Sequence, residues 1–377
     1  MSSAVDLMFV GDLILSGNNA SFYFDHARPT LAQADVAVAQ VEWPHTDRGQ
    51  VCTVDIPAPA VPPANLDAVA ECGFAVATLA SNHMFDQGPF GVIDTVEHLR
   101  RRQIETVGAG ATLADAREPV VVERGGVRIG FLSYNAVGPR ESWATEIKAG
   151  VAYVRVLAHY ELDIASPGSP PAEYTSLDGD SVGAMQTDIE RLAGRVDCVV
   201  VAFHKGMGFV HATLAEYERP LARFAVDAGA DVVIGHHAHI LRGVEVYKGR
   251  PIFHGINHFV TAYTDETDPL SRHARRPRPR RAPSLDFFVP DRDVDHFPFP
   301  RDSRHTMIAR VLVDRDGVRQ AGFIPCYINE RAQPVPVSSA AAEDPTTEYV
   351  SRITEDAGLE ATFSRTDGWI TFLDQTA

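Results

Sequence analysis

Apolar, β-branched runs alternate with segments of helical periodicity over the first 260 residues of the chain. Uninterrupted runs of valine, isoleucine and alanine are typical of strands that are covered on both faces. Apolar positions spaced three and four residues apart are typical of amphipathic helices. The pattern predicts strands over 5–12, 34–43, 74–80, 197–206 and 230–240, the last two running into loops, and helices over 65–73, 90–102, 184–194 and 217–229. This alternation indicates an α/β protein whose sheets are covered by helices.

Turn residues between apolar runs predict three hairpins. The first covers 119–135 and turns at Gly125-Gly126, the second covers 243–260, and the third covers 307–328 and turns at Asp316-Gly317. We expect an irregular segment over 136–180, and a helix followed by a strand over 344–373.

Residues 263–305 differ in character from the rest of the chain, because they combine RHARRPRPRR with the aromatic and acidic stretch DFFVPDRDVDHFPFP. Prolines at this density prevent regular structure, so we expect a long loop. We therefore divide the chain into a main domain over 1–262, a Pro/Arg-rich loop insertion over 263–305, and a C-terminal hairpin and helix over 306–377 that complete the same domain.

The net charge of −16 over 377 residues makes a general nucleic-acid or anionic-membrane binder a poor fit, since such partners require a basic face. A small anionic substrate held by local groups remains compatible with that charge. The four scattered cysteines form no CxxC pair and indicate free thiols in a reducing compartment. The N-terminus lacks a basic leader and no stretch predicts a membrane anchor, so we expect a cytoplasmic protein.

Polar side chains with metal-binding capacity follow five of the predicted strands. In an α/β sheet, ligands bind at the carboxyl ends of the strands. Each residue alone has an ordinary explanation as a turn residue, a solvated side chain or a core histidine, but their joint occurrence favours one shared site. These residues are Asp12, Glu42, Asn82 with His83, His204, and the group His236, His237 and His239.

Carboxylates, imidazoles and an amide oxygen together form a suitable ligand set for one or two divalent ions such as Mn, Fe or Zn. Two such ions about 3.5–4 Å apart would activate water near neutral pH and stabilise both the attacking and the leaving oxygen. His83 follows Asn82 directly and cannot easily reach the same ion. It is therefore available as a general acid, with Asp86 positioned to hold its ring and raise its pKa.

The ordered motifs GD, SNHMFDQG, AFHKG and GHHAHILRGVEVYKGRPIFHGINHFV resemble the CapA family of poly-γ-glutamate capsule biosynthesis proteins. This family resembles the calcineurin-like metallophosphoesterase superfamily, and the likeness spans roughly 5–260. It implies a four-layer α/β/β/α sandwich with a dinuclear metal site at one edge.

The resemblance also implies a role for each candidate residue. Asp12 and His239 would bind the first metal, Glu42 would bridge, and the second metal would be bound by Asn82, His204 and His237. His83, with Asp86 behind it, takes the place of the acid that contacts the phosphate. His236 would support the site.

Three positions depart from the related sequences. Ile14 stands where phosphoesterases of the superfamily carry a histidine, which leaves open whether one or two ions bind. Lys205 replaces a tryptophan and would place a cation suited to a carboxylate or phosphate beside the site. His258 stands where the family has asparagine and could supply the missing imidazole. We assign Lys205, His236 and His258 to the substrate side, with an arginine from 275–281 as a further contact.

The leading functional hypothesis is a metal-dependent hydrolase in which a metal-bound hydroxide attacks a phosphoester or amide of a small anionic substrate and His83 protonates the leaving group. One alternative is a γ-glutamyl amide or peptide hydrolase or transferase in poly-γ-glutamate or natural-product metabolism. Another is a non-catalytic assembly subunit of a polymer-synthesis system.

Overall fold

The computed structural model describes residues 4–53, 57–162, 171–267, 289–294, 296–337, 344–366 and 368–375. In chain order, the strands within these ranges are β1 (Val5–Leu15), β2 (Val36–Val41), β3 (Phe74–Thr78), β4 (Glu105–Val107), β5 (Ala109–Gly110), β6 (Val120–Arg124), β7 (Val127–Asn135), β8 (Gly150–Val151), β9 (Val156–Glu161), β10 (Ala172–Leu177), β11 (Cys198–His204), β12 (Val232–His236), β13 (Val244–Tyr247), β14 (Arg250–Phe253), β15 (His258–Ala262), β16 (His305–Asp314), β17 (Gly317–Ile328), β18 (Pro334–Pro336), β19 (Ser364–Thr366) and β20 (Trp369–Asp374).

The α-helices of the same ranges are α1 (Arg28–Leu31), α2 (Asp67–Glu71), α3 (Gly88–Arg101), α4 (Leu113–Arg117), α5 (Gly179–Ala193), α6 (Glu218–Asp227) and α7 (Pro345–Asp356). Short 3-10 helices cover Ala20–Phe24, Pro63–Leu66, Arg140–Ser142 and Arg301–Arg304. None of the described helices has the length and hydrophobicity needed to cross a lipid bilayer.

Two large sheets form the centre of the fold. The first has the strand order β19-β20-β17-β16-β1-β2-β3-β4, with β15 also paired to β1 and β18 to β17. The second has the order β13-β14-β12-β11-β7-β6. The chain is thus an α/β protein, as the sequence pattern predicts.

The apolar side chains of the two sheets define four layers. Phe9 and Val38 of the first sheet belong to one buried cluster with Phe131 and Val200 of the second, so the sheets pack face to face. The opposite face of the first sheet packs on α1, α2 and α3, and that of the second packs on α5 and α6. This is the four-layer α/β/β/α sandwich that the family resemblance implies.

The predicted hairpins over 119–135 and 307–328 are confirmed, since β6 pairs antiparallel with β7 and β16 with β17. The hairpin predicted over 243–260 is wrong in its last part. Only β13 and β14 pair with each other, whereas β15 crosses to the first sheet and runs parallel to β1. Hydrophobic periodicity identifies a strand but not the sheet that it joins, which explains the error.

The middle segment also differs from the prediction. Residues 136–180 contain β8 and an antiparallel ribbon of β9 and β10, and α5 starts at Gly179, before its predicted start at 184. In the loop predicted over 263–305, residues 268–288 and 295, including the arginines of 275–281, lie outside the described residues. The cysteines are free as expected, with Cys52 exposed and Cys72, Cys198 and Cys326 buried.

The segment that crosses between the sheets passes unusually close to two glycines. A Cβ atom on Gly11 would lie 2.0 Å from the carbonyl oxygen of Asn257, and one on Gly235 would lie 2.1 Å from that of His254. Real Cβ atoms do not approach backbone this closely, so both positions require glycine. These glycines come directly before Asp12 and His236, and they therefore allow the crossing segment to pass beside the strand ends.

We predict that Gly11→Ala lowers the free energy of unfolding by at least about 1–3 kcal/mol, because the added methyl group meets backbone that cannot move aside. The matched control is Gly183→Ala. Gly183 lies within α5 with open space around its Cβ position, so alanine there should stabilise by up to about 1 kcal/mol. Chemical denaturation of both variants checks this, and equal stability of the two would contradict it.

Candidate metal centre

Two buried carboxylates lie close together, one within β1 and one directly after the end of β2. The side chains of Asp12, in β1, and Glu42, directly after β2, are 0% exposed. Oδ2 of Asp12 accepts a hydrogen bond from the backbone N–H of His237 at 3.1 Å. Oδ1 of Asp12 and both carboxylate oxygens of Glu42 have no hydrogen-bond partner among the described residues. Unpaired buried carboxylates are costly, so this arrangement calls for a cation.

His239 completes the first group of ligand atoms. Its Nε2 lies 3.4 Å from Oε1 of Glu42 and its Nδ1 lies 3.7 Å from Oδ2 of Asp12. One ligand atom from each of these three residues falls within 4.8 Å of the others. Two carboxylates and an imidazole are suitable ligands for Mn, Fe or Zn, so these residues fit one divalent ion.

A second group of potential ligands also lies close to Glu42. Nε2 of His204 is 2.8 Å from Oδ1 of Asn82 and 3.2 Å from Nδ1 of His237. The same Nε2 lies 3.9 Å from Oε1 of Glu42. Oε1 of Glu42 thus lies within 4 Å of a ring nitrogen from each group. The structure brings together all six residues that the sequence marks as metal ligands.

Burial keeps the imidazoles of His204 and His237 neutral, which is the form that binds metal. Burial lowers the pKa of His237 to about 3 and holds that of His204 well below its usual value. Burial, and then the nearby charge of Glu42, raise the pKa of Asp12 well above its usual value. A divalent ion would compensate the buried negative charge that these neutral histidines leave unbalanced.

The backbone around His237 and His239 has an uncommon conformation. The two residues have φ values of 87° and 49°, which few non-glycine residues adopt. The turn is held by hydrogen bonds from Phe209 N to Ala238 O at 2.8 Å and from Ser303 Oγ to His239 O at 2.5 Å. Such conformations concentrate at functional sites, where the surrounding structure enforces them.

His83 and Asp86 form a tightly held pair beside the two ligand groups. Nδ1 of His83 lies 2.6 Å from Oδ2 of Asp86, which also accepts the N–H of Ala58 at 2.6 Å. Oδ1 of Asp86 accepts the hydroxyl of Thr53 at 2.7 Å. The His83 side chain is 22% exposed. With Nδ1 engaged by Asp86, Nε2 is the atom through which His83 can exchange a proton with a substrate.

The prediction that Lys205 contacts substrate is wrong. Its side chain is fully buried, and its ammonium lies 3.0 Å from Oε2 of Glu218 and 3.2 Å from the carbonyl oxygen of His254. Successive side chains of a strand point to opposite faces, so His204 reaches the metal ligands and the next residue does not. Lys205 instead anchors the loop that follows His204.

His236 and His258 are also closed off from a substrate. His236 is 3% exposed and its Nδ1 lies 3.5 Å from Oδ1 of Asp12, which places it behind the carboxylate. His258 is 0% exposed, and its ring centroid lies 4.3 Å from that of Phe299. Neither ring nitrogen of His258 has a hydrogen-bond partner among the described residues. His236 is therefore placed to support Asp12, and His258 is not placed to contact a substrate.

Three residues near the site were not identified from the sequence. Thr53 orients Asp86. The ring of Trp43 contacts that of His83 edge-on, with centroids 6.3 Å apart. The ring of Phe299 packs against that of His239, with centroids 5.2 Å apart. Trp43 follows the predicted ligand Glu42 directly, so its sequence position could have indicated that it lies near the site. Thr53 and Phe299 lie in segments without periodic pattern, and sequence spacing alone could not place them.

We predict that metal-free Asp12→Asn protein is more stable than metal-free wild type at pH 7, because the substitution removes a buried charge. A carboxyl group whose pKa is raised by folding destabilises the native state above that pKa. The gain should therefore shrink as the pH falls through the raised pKa towards 3.8. Thermal unfolding after chelation checks this, with the exposed Asp25→Asn as control.

Added metal should make wild type more stable than Asp12→Asn. Wild type should gain about 2.7 kcal/mol at a metal concentration of one hundred times Kd, and Asp12→Asn should gain less. If metal-free Asp12→Asn were the less stable protein at pH 7, the electrostatic account of the carboxylate pair would be wrong.

Comparison with known proteins places the chain in a family. The family described as bacterial capsule synthesis protein PGA_cap matches residues 6–263. The capsule biosynthesis protein CapA of Bacillus anthracis is 31% identical over 51% of this chain and 41% of its own length. The PGA biosynthesis protein CapA of Bacillus subtilis is 27% identical over 67% of this chain and 62% of its own.

One further relative and one solved structure are also similar to this chain. A probable polyglutamine synthesis accessory protein of Mycobacterium tuberculosis is 34% identical over 53% of this chain and 49% of its own length. The match thus spans about half the length of these curated relatives. The solved structure of a calcineurin-like phosphoesterase from Bacillus subtilis aligns with 94% of this chain and 98% of its own, at 11% identity and a TM-score of 0.36. The family match covers more than half of the chain, and the chain therefore belongs to the PGA_cap family of bacterial capsule synthesis proteins.

Proposed function

We propose that this protein is a metal-dependent hydrolase that cleaves a phosphoester or an amide of a small anionic substrate. The observation that carries the proposal is the buried pair of Asp12 and Glu42, whose oxygens lack hydrogen-bond donors. The neutral imidazoles of His204 and His237 lie near this pair, and the oriented His83 lies beside it. A purely structural core has no need of unpaired carboxylates at this cost.

The residues divide into a holding set and a proton-transferring pair. Asp12, Glu42 and His239 would hold one divalent ion, and Asn82, His204 and His237 would hold a second. When bound, such ions activate water as a nucleophile and withdraw electron density from the bond under attack. His83 donates a proton from Nε2 to the leaving group, and Asp86 fixes the ring through Nδ1.

The burial pattern indicates how a substrate approaches. The two carboxylates are fully buried, whereas the side chains of His239 and His83 are 12% and 22% exposed. A substrate therefore meets these histidines first, with the carboxylates beneath them. Phe299 and Trp43 pack against these two rings and would help to exclude water from the reacting groups.

Amide chemistry on a γ-glutamyl compound, by hydrolysis or transfer, is a second candidate. The relatives are named for capsule or PGA biosynthesis and for polyglutamine synthesis, and these names favour a substrate with amide-linked amino acids. A role as a non-catalytic assembly subunit receives less support. The hydrogen bonds from Thr53 and Ala58 through Asp86 to His83 serve proton transfer and have no evident use in a scaffold.

We predict that His83→Ala lowers kcat by about 10²- to 10⁴-fold, the range typical of a lost general acid, while the protein keeps its metal content. The loss should be larger for an alkyl phosphate than for p-nitrophenyl phosphate, because p-nitrophenolate leaves readily without a proton. Steady-state kinetics and metal analysis of the same preparations check both points.

The control for this variant is His26→Ala, since His26 is an exposed histidine. Parallel assays with γ-glutamyl p-nitroanilide decide between phosphoester and amide substrates. Full activity of His83→Ala on an alkyl substrate would show that the general-acid assignment is wrong. Absence of turnover on both substrate classes by metal-loaded wild type would favour the assembly role.

A further inference from the structure

A cavity lies away from the metal centre, on the helix-covered face of the second sheet. It has a volume of about 380 Å³ and lies between the first turns of α5 and residues 140–155. We refer to it as the arginine pocket, because its lining includes Arg117, Arg140 and Arg155. No part of the proposed hydrolysis uses these residues.

The three guanidinium groups are engaged to different extents. Arg117 lies 2.7 Å from Oδ2 of Asp188 and donates to a backbone carbonyl, so its role is structural. Arg155 makes only a long ion pair of 3.8 Å with Asp178. Arg140 is exposed and has no ion pair among the described residues, although the chain carries a net charge of −16. Arg140, with Arg155 nearby, is thus available to an anion from solution.

An aromatic surface lies next to the available arginine. The rings of Trp143 and Tyr153 stack with centroids 4.3 Å apart and an interplanar angle of 6°. The guanidinium carbon of Arg140 lies 5.4 Å from the centroid of the Trp143 ring. A cation beside a flat apolar surface suits a ligand with a carboxylate on a short aliphatic chain.

The lining of the pocket also offers a site for positive charge. Asp180 lies in the first turn of α5 and lines the pocket. It is exposed and has no ion pair among the described residues. A carboxylate and a guanidinium that both line one cavity, each without an ion pair among the described residues, match a ligand that carries both a carboxylate and an ammonium group. This combination is characteristic of amino acids and short peptides.

The pocket is connected to the metal centre through one segment of chain. Ala136 donates its N–H to the carbonyl oxygen of His204 at 2.9 Å, and a Cβ atom on Gly138 would lie 2.4 Å from Cβ of Asn82. The same segment continues into Arg140 and Trp143. Residues 136–143 therefore contact two of the proposed metal ligands and form one wall of the pocket.

We propose that the arginine pocket binds a carboxylate-bearing amino-acid chain, of the kind that a short glutamyl peptide represents. Arg140 and Arg155 bind its carboxylates, Trp143 contacts its methylene groups, and Asp180 binds its terminal ammonium. That the bound chain is also the substrate of the metal centre rests on the proposed function. Binding in the pocket does not depend on that function.

Titration calorimetry with a γ-linked glutamate pentamer at fixed ionic strength tests the proposal. Arg140→Gln should weaken binding by about tenfold or more, since it removes one charge-assisted pair. The matched control, Arg195→Gln, changes an exposed arginine just beyond the C-terminal end of α5 and should leave the affinity unchanged. Trp143→Leu should also weaken binding, and circular dichroism verifies that each variant is folded.

Several outcomes would overturn the proposal. These are no measurable binding to wild type, equal affinity of wild type and Arg140→Gln, and inorganic phosphate displacing the peptide at equal concentration. The Asp12→Asn variant should bind the pentamer as tightly as wild type, because it alters only the metal centre. Pentamer binding without turnover would therefore contradict the γ-glutamyl amide candidate and leave the pocket assignment standing.

Discussion

The carboxylates of Asp12 and Glu42 lie fully buried and close together where strands of the two sheets end. Three of their four oxygens receive no hydrogen bond from the described residues. Their mutual repulsion and lost hydration oppose folding unless positive charge lies between them. Two of the surrounding histidines do not supply that charge, because burial keeps His204 and His237 neutral. The fold brings these two carboxylates together, and a cation bound between them would both stabilise the fold and supply the chemistry of the site.

The topology explains how residues far apart in sequence reach this point. Parallel strands of both sheets end at the same edge, so β1 and β12 bring Asp12 and the backbone of His237 into hydrogen-bonding distance. The crossing segment then passes against Gly11 and Gly235 and delivers β15 beside β1. Close packing of this kind limits the movement of the strand ends. Rigid placement is what a metal site requires of its ligands.

Much of the site could be predicted because its residues follow strands that are easy to recognise. Asp12, Glu42, His237 and His239 each come at or just after the end of an apolar run, and the parallel arrangement makes such ends converge. Lys205 was misplaced because proximity in sequence to His204 does not give side-chain direction at a strand end. His258 was misplaced because a periodic pattern cannot show that Phe297 and Phe299 cover its ring. In both cases, contacts with residues far away in the sequence determine where the side chain lies.

The position of bound metal is the most direct test of the account. Crystals of the protein grown with Mn²⁺ and measured at the manganese absorption edge should show an anomalous peak among Asp12, Glu42 and His239. A second peak should lie among Asn82, His204 and His237 if both groups bind an ion. The first peak should disappear in crystals of Asp12→Asn. Well-ordered crystals of metal-loaded wild type with no anomalous peak at either position would contradict the central claim.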